Sequence, residues 1–472
     1  MENILGKWEY NTEYNCYCMY GLVYTKNPLA KKYQCLNIFV PKSYINEDGT
    51  INENATCGNY NCNTAPIIFE NNSARFSNME PEALGSDRNY APLYLKKGMV
   101  FISCGVRGRE TKTEDGKCIG KIPANLIDVK TAIRFIKHYK QYIPGNTEQI
   151  ISCGFSAGGA MSSLTGVSTD NAVFDTYLEE NGAYMDESDS VFACMVYCPI
   201  IDLEHADMAF EWQFKADTNY KNRDYEEMTM SPFETALSDN LYKRFVKYFN
   251  SFEFSKNNQR LYMNEDGRSG PAYELFLKTI EDAITVYLKK HENPREYLKD
   301  ENKSWISWDG KKAHIESIDD YVLNLRRRKR TCPSFDWIDY SGFENELFGN
   351  SQYDRIHFAP DIKEALEDLK NEFPKEYDRY HDEYSIINEE SHLFNPLYFL
   401  KENKSVTAKY FRINVGSRDG ETSHILSFML YLMLLKKGGI DVEYNIIWEQ
   451  PHMEADYVED LLDWIERITW IN

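Results

Sequence analysis

Residues Ile150 to Gly159 read IISCGFSAGG, an apolar run that ends in Gly154-Phe155-Ser156-Ala157-Gly158. This is the G-x-S-x-G spacing of a nucleophile elbow, a sharp strand-to-helix turn that lifts a serine out of the backbone. Small residues on either side let the chain pass without a clash. The spacing alone recurs by chance, so its surroundings decide. Gln149 to Cys153 reads as a strand, and Ala157, Gly158, Gly159, Ala160 and Met161 suit a helix start. Strand before and helix after favour a reactive Ser156 over a plain glycine turn.

Outward from the elbow the same alternation continues. Residues 8 to 41 alternate in strand fashion, and Ile67-Ile68-Phe69 and Met99 to Cys104 are short buried strands. Leu126, Val129, Ile133 and Ile136 share one helical face, with Asn125 as N-cap. Val191 to Tyr197 is the next strand. From His205 to Asn395 the composition shifts to Glu, Asp, Lys, Tyr and Phe, with amphipathic helices such as Glu274 to Lys290. Strand and helix alternate again at the end: Tyr410 to Val415, Ser423 to Lys437, Val442 to Trp448. The pattern predicts a mostly parallel α/β core, residues 1–204 and 396–472, split by an inserted helical lid, residues 205–395.

Bulk composition narrows the function. The 472 residues, 42% hydrophobic, can build a large core of two or three lobes. A net charge of −21 argues against nucleic acid or an anionic membrane as partner. Met1 to Lys7 lacks a charged-then-apolar leader pattern, and the longest apolar run, Ile425 to Leu435, is too short to span a bilayer. Eleven scattered cysteines, with only Cys16/Cys18 and Cys57/Cys62 close together, read as reduced thiols of a cytoplasmic protein. They lack the paired spacing of a zinc site, and no metal or organic cofactor is implied.

A serine nucleophile needs a base and an acid to orient that base. In α/β-hydrolases the chain order is Ser, acid, His, each late member in a loop after a core strand. Asp419 follows the strand ending at Val415, and His452 follows the strand ending at Trp448. The other eight histidines lie before the nucleophile, in the inserted stretch, or, like His205 and His424, out of order or at a helix start. Glu421 is the fallback acid. The oxyanion donors are expected from the backbone of Ala157 and from the loop Glu70 to Phe76, at Ala74 or Arg75. The run Arg326 to Arg330 reads as a solvated helix end, and His205-Ala206-Asp207 as structural.

Taken together, LNIFVP (36–41), NLIDVKTAIRFIK (125–137), GFSAGGA (154–160), YCPIIDLEHADMAFEW (197–212), CPSFD (332–336), FENELFG (343–349), NPLYFL (395–400), GSRDGETS (416–423) and PHMEADY (451–457) resemble the bacterial tannases, or tannin acyl hydrolases. The segments run through core and insertion alike. The resemblance implies an α/β-hydrolase with a large lid and a cofactor-free serine esterase acting on small phenolic esters. It places nucleophile, acid and base on Ser156, Asp419 and His452. It also implies that Arg330, Glu344 and Glu421 contact the hydroxyls of a galloyl ring. Three departures stand out. The family usually has Lys at the place of Arg330, Asp at that of Glu421, and a glycine pair at that of Ala74-Arg75. They bear on ring selectivity rather than on the triad. A feruloyl-type or general carboxylesterase is the alternative enzyme, and a non-catalytic binding protein the alternative outside enzymes.

Overall fold

The computed structural model describes residues 7–85, 90–221 and 226–470. Met1 to Gly6, which carry most of the expected absence of a leader, lie outside them. Nine strands form the main sheet: β1 (Glu9–Asn11), β2 (Cys16–Val23), β3 (Cys35–Pro41), β4 (Pro66–Glu70), β5 (Val100–Cys104), β6 (Asn146–Phe155), β7 (Ala193–Tyr197), β8 (Tyr410–Gly416) and β9 (Asp441–Ile447). Their spatial order is β1-β2-β3-β5-β4-β6-β7-β8-β9. The first three strands are antiparallel, and the run from β5 to β9 is parallel throughout. Parallel strands are covered by helices on both faces, so they read as unbroken apolar runs. VFISC, ACMVY and YFRINVG are accordingly buried at every position.

The strand before the nucleophile is longer than its apolar stretch suggests. It starts at Asn146, where Asn146 N–H donates to Ala65 O over 2.7 Å directly after the Pro144-Gly145 break. Helix α1 (Ala124–His138) begins one residue before Asn125, with Pro123 at the cap position and no side-chain cap. Asn125 is therefore not the N-cap; its Oδ1 accepts from Leu126 N–H at 2.9 Å instead. Almost all of α1 is buried, its basic residues included. Lys130 Nζ donates to Asp189 at 2.9 Å and to Ser168 O at 2.8 Å, and Arg134 reaches Asp189 at 2.8 Å. The segment 168–190 thus closes over the polar side of the helix.

Between β7 and β8 the chain adds nothing to the main sheet. It forms α3 (Leu203–Gln213), α4 (Pro232–Ser251), α5 (Pro271–Lys290), α6 (Phe343–Leu347) and α7 (Pro360–Leu369), with short two-stranded ribbons between them. Trp212 of α3 meets Phe245 of α4 and Phe276 of α5 at ring distances of 5.4 and 5.9 Å. Phe276 in turn packs at 5.2 Å on Phe428 of α8 (His424–Lys437), which follows β8. These aromatic contacts merge the helices with the sheet into one buried apolar cluster. Helix α4 starts with a reciprocal capping box between Ser231 and Glu234. Helix α8 ends at Gly438, whose φ of 76° lies in the left-handed region that favours glycine. Among the described residues no helix is long and apolar enough to cross a membrane.

Candidate active site

Ser156 stands between β6 and α2 (Ala157–Val167) with φ 59° and ψ −118°. A non-glycine residue in that region is strained, and such strain persists only where the surroundings hold it. Here Ser156 N–H donates to Tyr197 O at 2.9 Å, and Ser156 O accepts from Ile200 N–H at 3.2 Å. The glycines around it are explained by contact. A Cβ on Gly154 would lie 2.1 Å from Gly158 O, and one on Gly158 would lie 2.1 Å from Asn71 O. Gly158→Ala is therefore expected to push the loop after β4 away from the elbow. Destabilisation by about 3 kcal/mol and loss of esterase turnover should appear together in denaturant titration and kinetics. Wild-type stability would show that the loop yields freely.

The two late loops meet at this serine. His452 Nε2 is 2.9 Å from Ser156 Oγ, and His452 Nδ1 is 2.8 Å from Asp419 Oδ2. The loops abut so closely that a Cβ on Gly416 would lie 2.1 Å from Pro451 O. Asp419 is fully buried, and its other oxygen accepts from Glu421 N–H at 2.8 Å. Burial pushes the Asp419 carboxyl up, but the His452 charge and its hydrogen bond outweigh this and hold it below the usual range. Burial likewise disfavours the His452 imidazolium, yet Asp419 more than offsets it and raises the imidazole above its ordinary 6.5. His424, a rival at sequence level, is buried at the start of α8; burial and Arg326 both keep it neutral. His138 lies at the far end of α1, 3.7 Å from Glu187.

Cys198, Asp419 and His452 offer ligand atoms within 4.8 Å of one another, as do His138, Asp186 and Glu187, and Asp202, Glu204 and His205. In the first trio both imidazole nitrogens are already engaged by Asp419 and Ser156, which leaves no lone pair for a metal.

Ser156, Ala157, Ala74, Arg75, Arg330, Glu344, Glu421 and His452 all line one cleft of about 760 Å³, so the structure brings every candidate except the buried Asp419 to its wall. Arg330 Nη1 lies 3.2 Å from Glu344 Oε1, and its Nε lies 3.6 Å from Glu421 Oε2. Its guanidinium stacks 4.5 Å above Phe335. Ala157 opens α2, where the first N–H groups have no intrahelical acceptor. Ala74 and Arg75 form a tight turn, Ala74–Phe76, with Arg75 at φ 53°. Glu421 bonds cations in the cleft rather than His452, so it does not serve as the orienting acid.

One sequence expectation changes here. The run Arg326 to Arg330 is not a solvated helix end. Arg326 is buried and donates to the carbonyls of Asp419 and Thr422, and Arg328 is buried against Glu211. Charge spacing along a sequence cannot reveal which carbonyls and carboxylates wait across the fold. Asp207 is structural in a specific way: its carboxylate accepts the backbone N–H groups of Ser334, Phe335 and Asp336, which anchors the CPSFD turn beside Arg330. Sequence reasoning also missed Asn72, Tyr90, Arg109 and Glu454 on the cleft wall. Asn72 accepts from Phe155 N–H at 3.0 Å and donates to Glu454 at 2.9 Å, tying the loop after β4 to the elbow.

Residues 67–238 match the BD-FAE family model. No curated protein matches by sequence. Solved structures that superpose over nearly all of the chain include the following three. Tannin acyl hydrolase from Lactobacillus plantarum in its native form is 27% identical, with a TM-score of 0.83 over 96% of this chain and 94% of that one. Tannin acyl hydrolase in complex with ethyl gallate gives the same identity, TM-score and coverage, 27%, 0.83, 96% and 94%. Fusobacterium nucleatum tannase is 28% identical, with a TM-score of 0.83 over 96% of this chain and 95% of that one. The elbow, the parallel sheet and this likeness over 96% of the chain show an α/β-hydrolase fold similar to that of the tannases, and the chain is a carboxylic ester hydrolase.

Proposed function

We propose that the protein hydrolyses esters of phenolic acids, galloyl esters foremost, through an acyl-enzyme on Ser156. The observation that carries this reading is the 2.9 Å contact from His452 Nε2 to Ser156 Oγ in a cleft that also holds Arg330, Glu344 and Glu421. Likeness to a tannin acyl hydrolase that binds ethyl gallate, and to one that binds 3,4-dihydroxybenzoate, supports it. Ser156 Oγ attacks the ester carbonyl while His452 Nε2 takes its proton. Asp419 keeps the second imidazole proton on Nδ1 and stabilises the imidazolium. The oxyanion draws on Ala157 N–H and on a second N–H from Ala74 or Arg75. His452 then protonates the leaving alcohol, and a water deprotonated by His452 releases the acid.

The ring end follows from donor and acceptor chemistry. Adjacent phenolic hydroxyls donate to the Glu344 and Glu421 carboxylates, and Arg330 between them offsets their charge. We take residues 205–395 as an inserted lid that supplies two of these three groups, Arg330 and Glu344. Free cysteines, most of them buried, fit a reducing compartment, and we place the protein in the cytoplasm.

Hydrolysis of methyl gallate, methyl ferulate and p-nitrophenyl butyrate, with Ser156→Ala as control, tests the reading. Preference for methyl gallate that vanishes in the variant is expected. Serine-dependent cleavage of p-nitrophenyl butyrate alone would remove the galloyl assignment. No turnover, together with no labelling of Ser156 by a fluorophosphonate, would favour a binding protein on this fold.

A further inference from the structure

We propose that Arg75 binds a carboxylate on the alcohol half of the substrate, so that the preferred esters join a phenolic acid to a hydroxy acid. This rests on the phenolic esterase reading and names the second half of the substrate.

Charge balance in the cleft points there. Four cationic side chains line it: Arg75, Arg109, Lys329 and Arg330. Arg109 is paired with Glu346, Lys329 with Glu421 at 3.4 Å, and Arg330 with Glu344 at 3.2 Å. Among the described residues, Arg75 pairs with no carboxylate within 4.0 Å. It is nevertheless held in place. Its guanidinium stacks 4.8 Å from the centre of the Phe343 ring, which Arg109 also approaches, at 4.7 Å. Arg109 Nε donates to Arg75 O at 3.1 Å and fixes the backbone beneath it. A stacked guanidinium leaves its N–H edge free for a planar anion, the geometry that suits a bidentate carboxylate.

The backbone adds to this. Arg75 has φ 53° and ψ 31°, a conformation that glycine adopts without cost and an arginine does not. A long charged side chain is thus held, against conformational preference, on the turn that faces the nucleophile.

The side of the substrate follows from the acids opposite. The ring end presents two glutamates, Glu344 and Glu421, which accept from hydroxyls and repel a carboxylate on the acyl ring. The anion that answers Arg75 therefore belongs to the alcohol. Ester cleavage itself is unchanged: the hydroxy acid leaves as the protonated alcohol with its carboxylate still on Arg75.

The test compares 3-(galloyloxy)propanoate with its methyl ester, in the wild type and in Arg75→Gln. The expected kcat/KM ratio, acid over methyl ester, is about tenfold in the wild type, the low end for a charge-assisted pair at an exposed site. It should fall to about one in Arg75→Gln, recover in part in Arg75→Lys, and shrink in the wild type as salt is raised to about 0.5 M. A ratio near one in the wild type, or a preference that survives Arg75→Gln, overturns the proposal while leaving galloyl esterase activity standing. Cleavage of neither ester would overturn the underlying reading as well.

Discussion

Asp419→Asn lowers kcat for methyl gallate by about 10⁴-fold while the protein stays folded and KM changes little. The carboxylate is fully buried and 2.8 Å from His452 Nδ1, so it decides which imidazole nitrogen holds the proton. An asparagine fills the same space but can offer its NH₂ to Nδ1, which turns the imidazole into the wrong tautomer for taking a proton from Ser156. The pH profile separates this from a loss of packing. Asp419 raises the His452 imidazole above 6.5, so the acid limb of wild-type kcat/KM lies above that pH, because only the neutral ring acts as base. In Asp419→Asn the upward push is gone and the limb of the residual activity moves to lower pH. A loss near tenfold with an unmoved limb would argue for another acid.

Asp189→Asn costs about 3–5 kcal/mol of stability, the range for breaking a buried ion pair from one side. Asp189 receives Lys130 at 2.9 Å and Arg134 at 2.8 Å, and Lys130 is completely buried. The variant leaves the buried Lys130 of α1 without its carboxylate, and denaturant midpoints read the loss. The wild type shows the same pair through acid. Burial pushes the Asp189 carboxyl up, but Lys130 and Arg134 prevail and hold it below 3.8. A depressed folded pKa contributes stability that is present above the unfolded value and is lost as the pH falls through the folded one. The acid-induced part of this loss is absent in Asp189→Asn. Equal midpoints for the two proteins at neutral pH would mean that the cations find other partners.

The core was legible because parallel strands are apolar at every position and the elbow has a fixed spacing. Ile150 to Gly159 pointed to the elbow strand β6, and chain order together with the loop position after β8 and β9 pointed to Asp419 and His452. Boundaries were less visible. Asn146 joins β6 through a bond to Ala65, and Pro123 rather than Asn125 precedes α1, because tertiary contacts override local capping preference. The long-range polar contacts were hidden altogether. Nothing in the run Arg326 to Arg330 says that alternate members turn inward to Asp419, Glu211 and Glu344. Asn72 and Arg109 lacked any pattern of their own and gained meaning only from what the fold set beside them.

The central claim is that galloyl transfer passes through Ser156, and mass spectrometry of protein mixed with methyl gallate and quenched in acid tests it most directly. A single galloyl adduct on the peptide carrying Ser156, absent from Ser156→Ala, is the result expected. An adduct on any other residue, or gallate release by Ser156→Ala at the wild-type rate, would contradict it.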